Sequence, residues 1–83
     1  MNEDEIKAIV LREIGNIAPE ADLQHIDPEV NLREQLDLDS MDALNIMIGL
    51  HETTGVDIPE ADYPQLTTLT RCIAYLRARM KSA

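Results

Sequence analysis

The sequence predicts an all-α fold: a small bundle of three main helices plus one short helix, with a long loop between helix one and helix two. Apolar residues recur at helical spacing almost throughout the chain, and the two-residue alternation typical of strands is hard to find. The chain has 83 residues, enough for one domain with a modest core. We therefore expect a single domain over residues 1–83, without the cleft between domains in which large active sites lie.

Helix one is predicted from about Glu3 to Asn16. Acidic residues at its start suit the positive end of the helix dipole, and Pro19 lies beyond its end. Its expected buried face consists of Ile6, Ile9, Val10, Ile14 and Ile17. The acidic stretch 19–39 has no helical period and is predicted to be a loop that a few apolar side chains hold to the core. Those side chains are Val30, Leu32 and Leu36.

Helix two has clear signals at both ends. It is predicted to begin at Asp39 or Ser40, which are both good N-cap residues, and Asp42 adds a carboxylate to its first turn. We expect it to continue to about Thr54, because Gly55 suits the position that follows a helix end.

Two further helices are predicted after an extended connector. Pro59 can open a short helix at residues 60–63. The last helix starts near Thr67 or Thr68 and runs to about Met80. Its expected buried stripe consists of Leu66, Leu69, Ile73, Leu76 and Met80, with Cys72 on the flank and Tyr75 outside it.

Helix two carries two apolar stripes. The longer stripe consists of Ala43, Ile46, Met47, Leu50 and Thr54, and the second of Met41, Leu44 and Ile48, with His51 in line. A helix in so small a bundle can hardly bury both, so the longer stripe is the better candidate for the core. Periodicity alone leaves two interpretations of the second stripe: an exposed contact site for a partner protein, or a surface buried beneath the long loop.

The charge of the chain is strongly acidic and unevenly distributed. Sixteen acidic residues against seven Lys and Arg give a formal charge of −9, which argues against nucleic acid as a partner. All sixteen lie within residues 1–62, where three basic residues oppose them and the formal charge is −13. The remaining residues hold four basic side chains and no acidic one. This pattern is typical of a solvated acidic surface closed by a basic helix, or of a surface that docks basic partner proteins.

The sequence gives no indication of a membrane or an oxidising compartment. No apolar run approaches membrane-spanning length, and the segment 1–5, with acidic residues at positions 3, 4 and 5, is unlike a signal peptide. The single cysteine, Cys72, cannot form an internal disulfide. We therefore expect a soluble, cytoplasmic protein that does not insert into membranes.

Ser40 is the candidate for covalent chemistry, although a serine at a helix N-terminus is most often only a cap. Nucleophilic catalysis would need a general base and an oxyanion hole. His25 lies in the loop, and His51 lies eleven residues along the same helix, about 16 Å away. A serine hydrolase is therefore disfavoured. A phosphate ester on Ser40 fits better, because the free N–H groups of a helix N-terminus accommodate negative charge.

An ordered set of landmarks surrounds this serine. The segment that leads into helix two reads Leu36-Asp37-Leu38-Asp39-Ser40-Met41-Asp42. After this helix come three further landmarks, namely Gly55-Val56-Asp57-Ile58-Pro59, Leu66-Thr67-Thr68-Leu69 and Tyr75-Leu76. In this order and spacing, over residues 30–76, the sequence resembles the acyl carrier protein family. The triplet Asp-Ser-Met alone is a weak signal, and the full set is a strong one. The resemblance implies a small acyl-carrier-like helical bundle.

The resemblance also implies a function without catalysis. Ser40 would carry 4'-phosphopantetheine, which a separate phosphopantetheinyl transferase takes from coenzyme A, and the thiol of this arm would hold an acyl group as a thioester. The carrier, expected to be a monomer, would deliver that group to acyl-loading and acyl-processing enzymes. Asp39 would help the transferase recognise the site. The implied partner residues are Asp39, Met41, Asp42, Leu44, Asn45, Ile48, His51 and Glu52, and Ile46 and Leu50 would line an acyl pocket.

Some positions depart from the family pattern. Asp37 stands where the family usually has glycine, and Met41 where leucine is common. Fatty-acid carriers typically have several glutamates along helix two and a phenylalanine near its end. In this sequence the phenylalanine position is occupied by Thr54. The matching glutamate positions read Asn45, His51 and Glu52. These differences favour a specialised carrier of fatty-acid, lipid or polyketide-type biosynthesis over the housekeeping one.

Two alternatives stay open at this point, whereas a calcium loop does not. An aminoacyl or peptidyl carrier would share the architecture with another cargo, since the thioester chemistry belongs to the prosthetic group. An unmodified acidic adaptor would use Ser40 only as a cap. A calcium loop starting at Asp37 would need glycine at Asp42 and glutamate at Ile48, so we expect no metal site there.

Overall fold

Helices and connecting loops account for all of residues 2–80, the part of the chain that the computed structural model describes. The four α-helices are α1 (Glu3–Ile17), α2 (Leu32–Gln35), α3 (Ser40–Thr54) and α4 (Leu69–Arg79). The first 3-10 helix spans Leu23–His25 and the second Glu60–Leu66. The predicted all-α bundle of three main helices is confirmed. Over the same residues, no helix is both long and apolar enough to cross a membrane.

Helix α1 packs against both α3 and α4 and forms the centre of the bundle. It begins with a capping box, in which Asn2 Oδ1 accepts a hydrogen bond from the Glu5 amide at 2.9 Å. The helix ends one residue later than predicted, at Ile17. Four residues of its predicted face are buried, namely Ile6, Ile9, Val10 and Ile14, and Ile17 is half-buried.

The long loop between α1 and α3 contains more structure than its sequence predicts. Asn31 caps α2 by accepting a hydrogen bond from the Glu34 amide at 3.1 Å. The buried Leu32 anchors this turn, and its amide donates to the Thr67 carbonyl at 2.8 Å. The prediction that Val30 holds the loop is wrong, because its side chain is 40% exposed. The loop is therefore fixed at α2, directly before the start of α3.

The two carboxylates of Asp39 and Asp42 define where α3 begins. Asp39 Oδ1 accepts from the Asp42 amide at 2.8 Å, and Asp42 Oδ2 accepts from the Asp39 amide at 3.3 Å. Ser40 is the first residue within the helix, and its hydroxyl takes no part in this cap. At the other end, Gly55 adopts a φ of 75°, the left-handed conformation that glycine tolerates without strain. Both predicted ends of the helix are confirmed.

Helix α3 buries one of its two apolar stripes. Ile46, Met47 and Leu50 of the longer stripe are buried in the core. In the second stripe, Met41 is 61% and Ile48 43% exposed. The ambiguity left by periodicity is therefore resolved, because the long loop does not cover the second stripe.

The second 3-10 helix is tied to α4. Tyr75, predicted outside the buried stripe, is instead only 4% exposed, and its hydroxyl donates to Asp62 Oδ2 at 2.6 Å. The Arg79 guanidinium lies 3.6 Å from the centre of the Tyr75 ring. Burial, and then the bond to Asp62, raise the pKa of Tyr75. Nearby, the buried Cys72 donates from Sγ to the Leu66 carbonyl, and burial raises its pKa to about 12.

The two stripes of α3 differ in their expected contribution to stability. Leu50→Ala should lower the free energy of unfolding by about 2–5 kcal/mol, because Leu50 is fully buried and the change leaves a cavity. Ile48→Ala, on the same helix, should lower it by about 1 kcal/mol or less. Urea unfolding followed by circular dichroism measures both. Equal losses from the two variants would contradict the assignment of the stripes.

The capping box predicts that substitutions at Asp39 and at its neighbour Ser40 differ in their effect on stability. Asp39→Ala should lower the free energy of unfolding by about 0.5–2 kcal/mol, because an N-cap acceptor is lost. Ser40→Ala should change it by less than about 0.5 kcal/mol, because the hydroxyl does not cap the helix. Thermal and urea unfolding of the unmodified proteins give the comparison. A larger loss for Ser40→Ala than for Asp39→Ala would show that the serine is the cap.

Candidate functional site

Ser40 lies exposed at the N-terminus of α3. Its Oγ accepts a hydrogen bond from Arg33 Nη2 at 3.2 Å, which is the only side-chain hydrogen bond to this hydroxyl within residues 2–80. Because Asp39 caps the helix, the serine oxygen is not needed for the start of α3. Ser40 therefore presents a hydroxyl to solvent on a rigid element, where an enzyme can approach it.

No base for nucleophilic catalysis stands at Ser40 among the described residues. His25 Nδ1 pairs with Asp22 Oδ2 at 2.5 Å in the long loop. His51 Nδ1 lies 2.8 Å from the Val56 carbonyl, which can only accept, so this nitrogen carries the proton. Both imidazoles are engaged elsewhere. The geometry agrees with the sequence in disfavouring a serine hydrolase.

A pocket of about 560 Å³ opens beside Ser40 between α2, α3 and the second 3-10 helix. This volume lies within the roughly 300–1,000 Å³ typical of small-molecule sites. Apolar side chains form most of its wall, among them Leu38, Met41, Leu44, Ile46, Met47 and Leu66. Ile46, which the resemblance implies as an acyl-pocket residue, is one of the side chains in this wall. Leu50, predicted beside it, does not line this pocket, because its side chain is completely buried in the core.

Hydrogen bonds hold two walls of this pocket in place. The bond between the Leu32 amide and the Thr67 carbonyl fixes α2 to the segment before α4. The bond from the Tyr75 hydroxyl to Asp62 fixes the second 3-10 helix to α4. Both walls are therefore fixed relative to α4 and to the segment that precedes it.

The predicted partner residues form one exposed side of α3. Its apolar part consists of Met41 and Ile48, with the half-buried Leu44 between them at the pocket wall. The polar residues Asn45, His51 and Glu52 are exposed along the same helix. Asp39 and Asp42 differ from these, because their carboxylates are hydrogen-bonded within the capping box. We call this side, from Asp39 to Glu52, the α3 face.

Sequence reasoning missed Arg33 as a residue of the site. The signal that could have identified it is its isolation, since it is the single Lys or Arg between positions 13 and 62. Nothing in the apolar pattern predicts that the turn of α2 brings its guanidinium to Ser40. The structure also explains the aspartate that replaces glycine shortly before the serine. Asp37 has a φ of 53°, in the left-handed region that glycine favours and that Asp tolerates better than most residues.

Comparisons with known proteins agree with this geometry. A family model described as a phosphopantetheine attachment site matches residues 4–76 of the chain. A solved structure of the acyl carrier protein from Enterococcus faecalis matches with a TM-score of 0.79, covering 95% of this chain and 99% of that one. The sequence identity is 19%, so this likeness concerns the fold. The resemblance and the acyl-carrier-like fold predicted from the sequence are thus confirmed.

The family model covers well over half of the chain, and the fold is that of a solved acyl carrier protein. Carrier proteins of this kind are modified by a phosphopantetheinyl transferase and interact with biosynthetic enzymes. They perform no reaction themselves. The chain therefore belongs to the phosphopantetheine attachment family and is a non-catalytic carrier domain for a covalently bound 4'-phosphopantetheine.

Proposed function

We propose that Ser40 is the residue to which the prosthetic group is attached, and that residues 1–83 act as a single, monomeric acyl carrier domain. The proposal rests on the environment of the Ser40 hydroxyl. The Ser40 hydroxyl is exposed, is not used by the helix cap, and lies at the mouth of an apolar pocket. A phosphodiester on this oxygen would extend into solvent without displacing buried atoms.

The attachment is a phosphoryl-type transfer in which Ser40 is the nucleophile. Ser40 Oγ forms a bond to the phosphorus that bears the pantetheine in coenzyme A, and the bond from that phosphorus to the adenosine bisphosphate leaving group breaks. The hydroxyl proton passes to a base of the transferase, because the side-chain hydrogen bond of Ser40 Oγ within residues 2–80 is one that it accepts, from Arg33. Once bound, the group supplies the terminal thiol that holds cargo as a thioester.

An acyl group is the cargo that the pocket favours. Its walls are mostly apolar and it opens beside the attachment residue, so a short hydrocarbon chain could be sheltered there from water. We propose a specialised carrier of fatty-acid, lipid or polyketide-type biosynthesis. The support is the polar side of α3, where Asn45 and His51 stand in place of carboxylates that fatty-acid carriers typically have.

We propose that the α3 face is where partner enzymes dock. Met41 and Ile48 are two of the three large apolar side chains that residues 2–80 expose, and both lie on this helix. Exposed apolar residues bordered by acidic ones are typical of protein contact sites. The acidic surroundings would attract basic partners and speed their encounter. Asp39, whose carboxylate is held by the cap beside Ser40, would contribute to recognition by the transferase.

Mass spectrometry tests the attachment residue. The purified protein, incubated with coenzyme A and a phosphopantetheinyl transferase, should gain the mass of one phosphopantetheine group. Ser40→Ala should gain none, whereas Ser82→Ala, which changes the only other serine of the chain, should be modified like the wild type. Digestion and fragment analysis should place the group on the peptide that contains Ser40.

The same experiment separates the proposal from its alternatives. An unmodified wild type with several transferases, together with unmodified protein from the native host, would favour the acidic adaptor. Modification of Ser40→Ala would place the group on another residue. If the modified carrier accepts amino acids and no acyl group from loading enzymes, it is an aminoacyl or peptidyl carrier and the acyl cargo is wrong.

Removal of an exposed apolar side chain tests the α3 face. Ile48→Ala should lower kcat/KM of the transferase or a loading enzyme by about five-fold, because a contact in a protein interface is lost. Val30→Ala is the matched control, since Val30 is exposed to nearly the same extent but lies in the long loop. Its kcat/KM should equal that of the wild type. Equal losses from both variants, or none from Ile48→Ala, would argue against docking at this face.

A further inference from the structure

Arg33 stands alone as a basic residue in the acidic part of the protein. Between positions 13 and 62 it is the only Lys or Arg, against thirteen Asp and Glu. Its Nη2 nevertheless lies 3.2 Å from Ser40 Oγ. A single guanidinium is thus directed at the one hydroxyl proposed to carry a phosphodiester.

The backbone of Arg33 is fixed by the turn that contains it. Leu32 is buried and hydrogen-bonded to Thr67, and Asn31 caps the turn. The Arg33 carbonyl accepts a hydrogen bond from the amide of Leu38, at 2.9 Å, just before α3 begins. The start of the side chain is therefore held at a constant position relative to Ser40, so that reaching the site requires ordering only the side chain itself.

The Arg33 guanidinium is not committed to a carboxylate. Within residues 2–80, no Asp or Glu oxygen lies within 4.0 Å of it, whereas Arg12, Arg77 and Arg79 each have such a partner. This is unexpected for the only Lys or Arg in so acidic a stretch. Asp39 and Asp42, the carboxylates nearest to Ser40 in sequence, are hydrogen-bonded to backbone amides instead. The charge of Arg33 is available for another anion.

We propose that Arg33 binds the phosphate of the arm once it is attached to Ser40, an inference that rests on the proposed function. On modification, the serine oxygen becomes a bridging ester oxygen, and the non-bridging oxygens of the phosphodiester become the better acceptors. The planar guanidinium matches phosphate oxygens with two parallel N–H donors. Arg33 also lines the pocket beside Ser40, so this contact holds the start of the arm at the pocket mouth.

Electrostatics provides the reason for such a contact. The phosphodiester adds a negative charge beside Asp39 and Asp42, in a region that already repels anions. A cation within hydrogen-bond distance offsets that repulsion. Since the pair is exposed, the gain is modest, comparable to that of other surface ion pairs.

Nuclear magnetic resonance of the modified and unmodified proteins tests the contact. Conversion to the modified form should shift the Nε–Hε signal of Arg33. The phosphorus signal of the diester should differ between the wild type and Arg33→Gln. Arg71→Gln is the matched control, because Arg71 is an exposed arginine on α4 that likewise has no carboxylate within 4.0 Å among residues 2–80. Its phosphorus signal should match that of the wild type.

Unfolding supplies a second readout that does not depend on partner enzymes. For each protein, the unfolding equilibrium constant of the unmodified form is divided by that of the modified form. This ratio should be about two- to five-fold smaller in Arg33→Gln than in the wild type, because the attached phosphate of the variant has no guanidinium to stabilise it. Arg71→Gln should leave this ratio unchanged. High salt should reduce the difference between wild type and Arg33→Gln.

The outcomes distinguish this inference from the proposed function. If no mass is added to the wild type, the attachment at Ser40 fails. If the mass is added but the Arg33 signal does not shift and the phosphorus signal is the same in Arg33→Gln, the attachment stands and the contact is refuted. The signal of the wild-type protein decides the matter even if Arg33→Gln folds poorly.

Discussion

The reciprocal hydrogen bonds between Asp39 and Asp42 are the local constraint on which the site depends. They satisfy amides at the start of α3 that would otherwise need another acceptor. Because the cap is complete without it, the serine hydroxyl remains exposed on the first turn of a rigid helix. A residue that is often structural in this position is thereby available for modification.

The bundle has three main helices, and this small number explains the division of α3 into two sides. Ile46, Met47 and Leu50 pack into the core, and no element is left to cover Met41 and Ile48. The same shortage of covering elements leaves a pocket between α3 and the second 3-10 helix. Ser40 and the exposed apolar side chains therefore lie on one helix with the pocket beside them, which suits a carrier that must present its cargo to several enzymes in turn.

Charge has a different role on the two parts of the chain. The acidic residues of positions 1–62 include Asp39 and Asp42 beside Ser40 and suit encounters with basic partners, whereas two arginines of α4 are used within the fold. Arg77 pairs with Glu3 of α1, and Arg79 lies over Tyr75. Arg33 is the exception, a basic residue in the acidic part that is hydrogen-bonded to Ser40 rather than to a carboxylate.

The sequence by itself predicted the three main helices and both ends of α3, and it identified Ser40 as the candidate for modification, because periodicity, N-cap residues and Gly55 act within a few residues of chain. It also limited the second stripe of α3 to two interpretations. Only the tertiary structure decided that this stripe is exposed, that Tyr75 is buried against Asp62, and that α2 forms within the long loop. It alone placed Arg33 against Ser40. These features depend on which distant segments meet, and no local pattern of residues encodes such meetings.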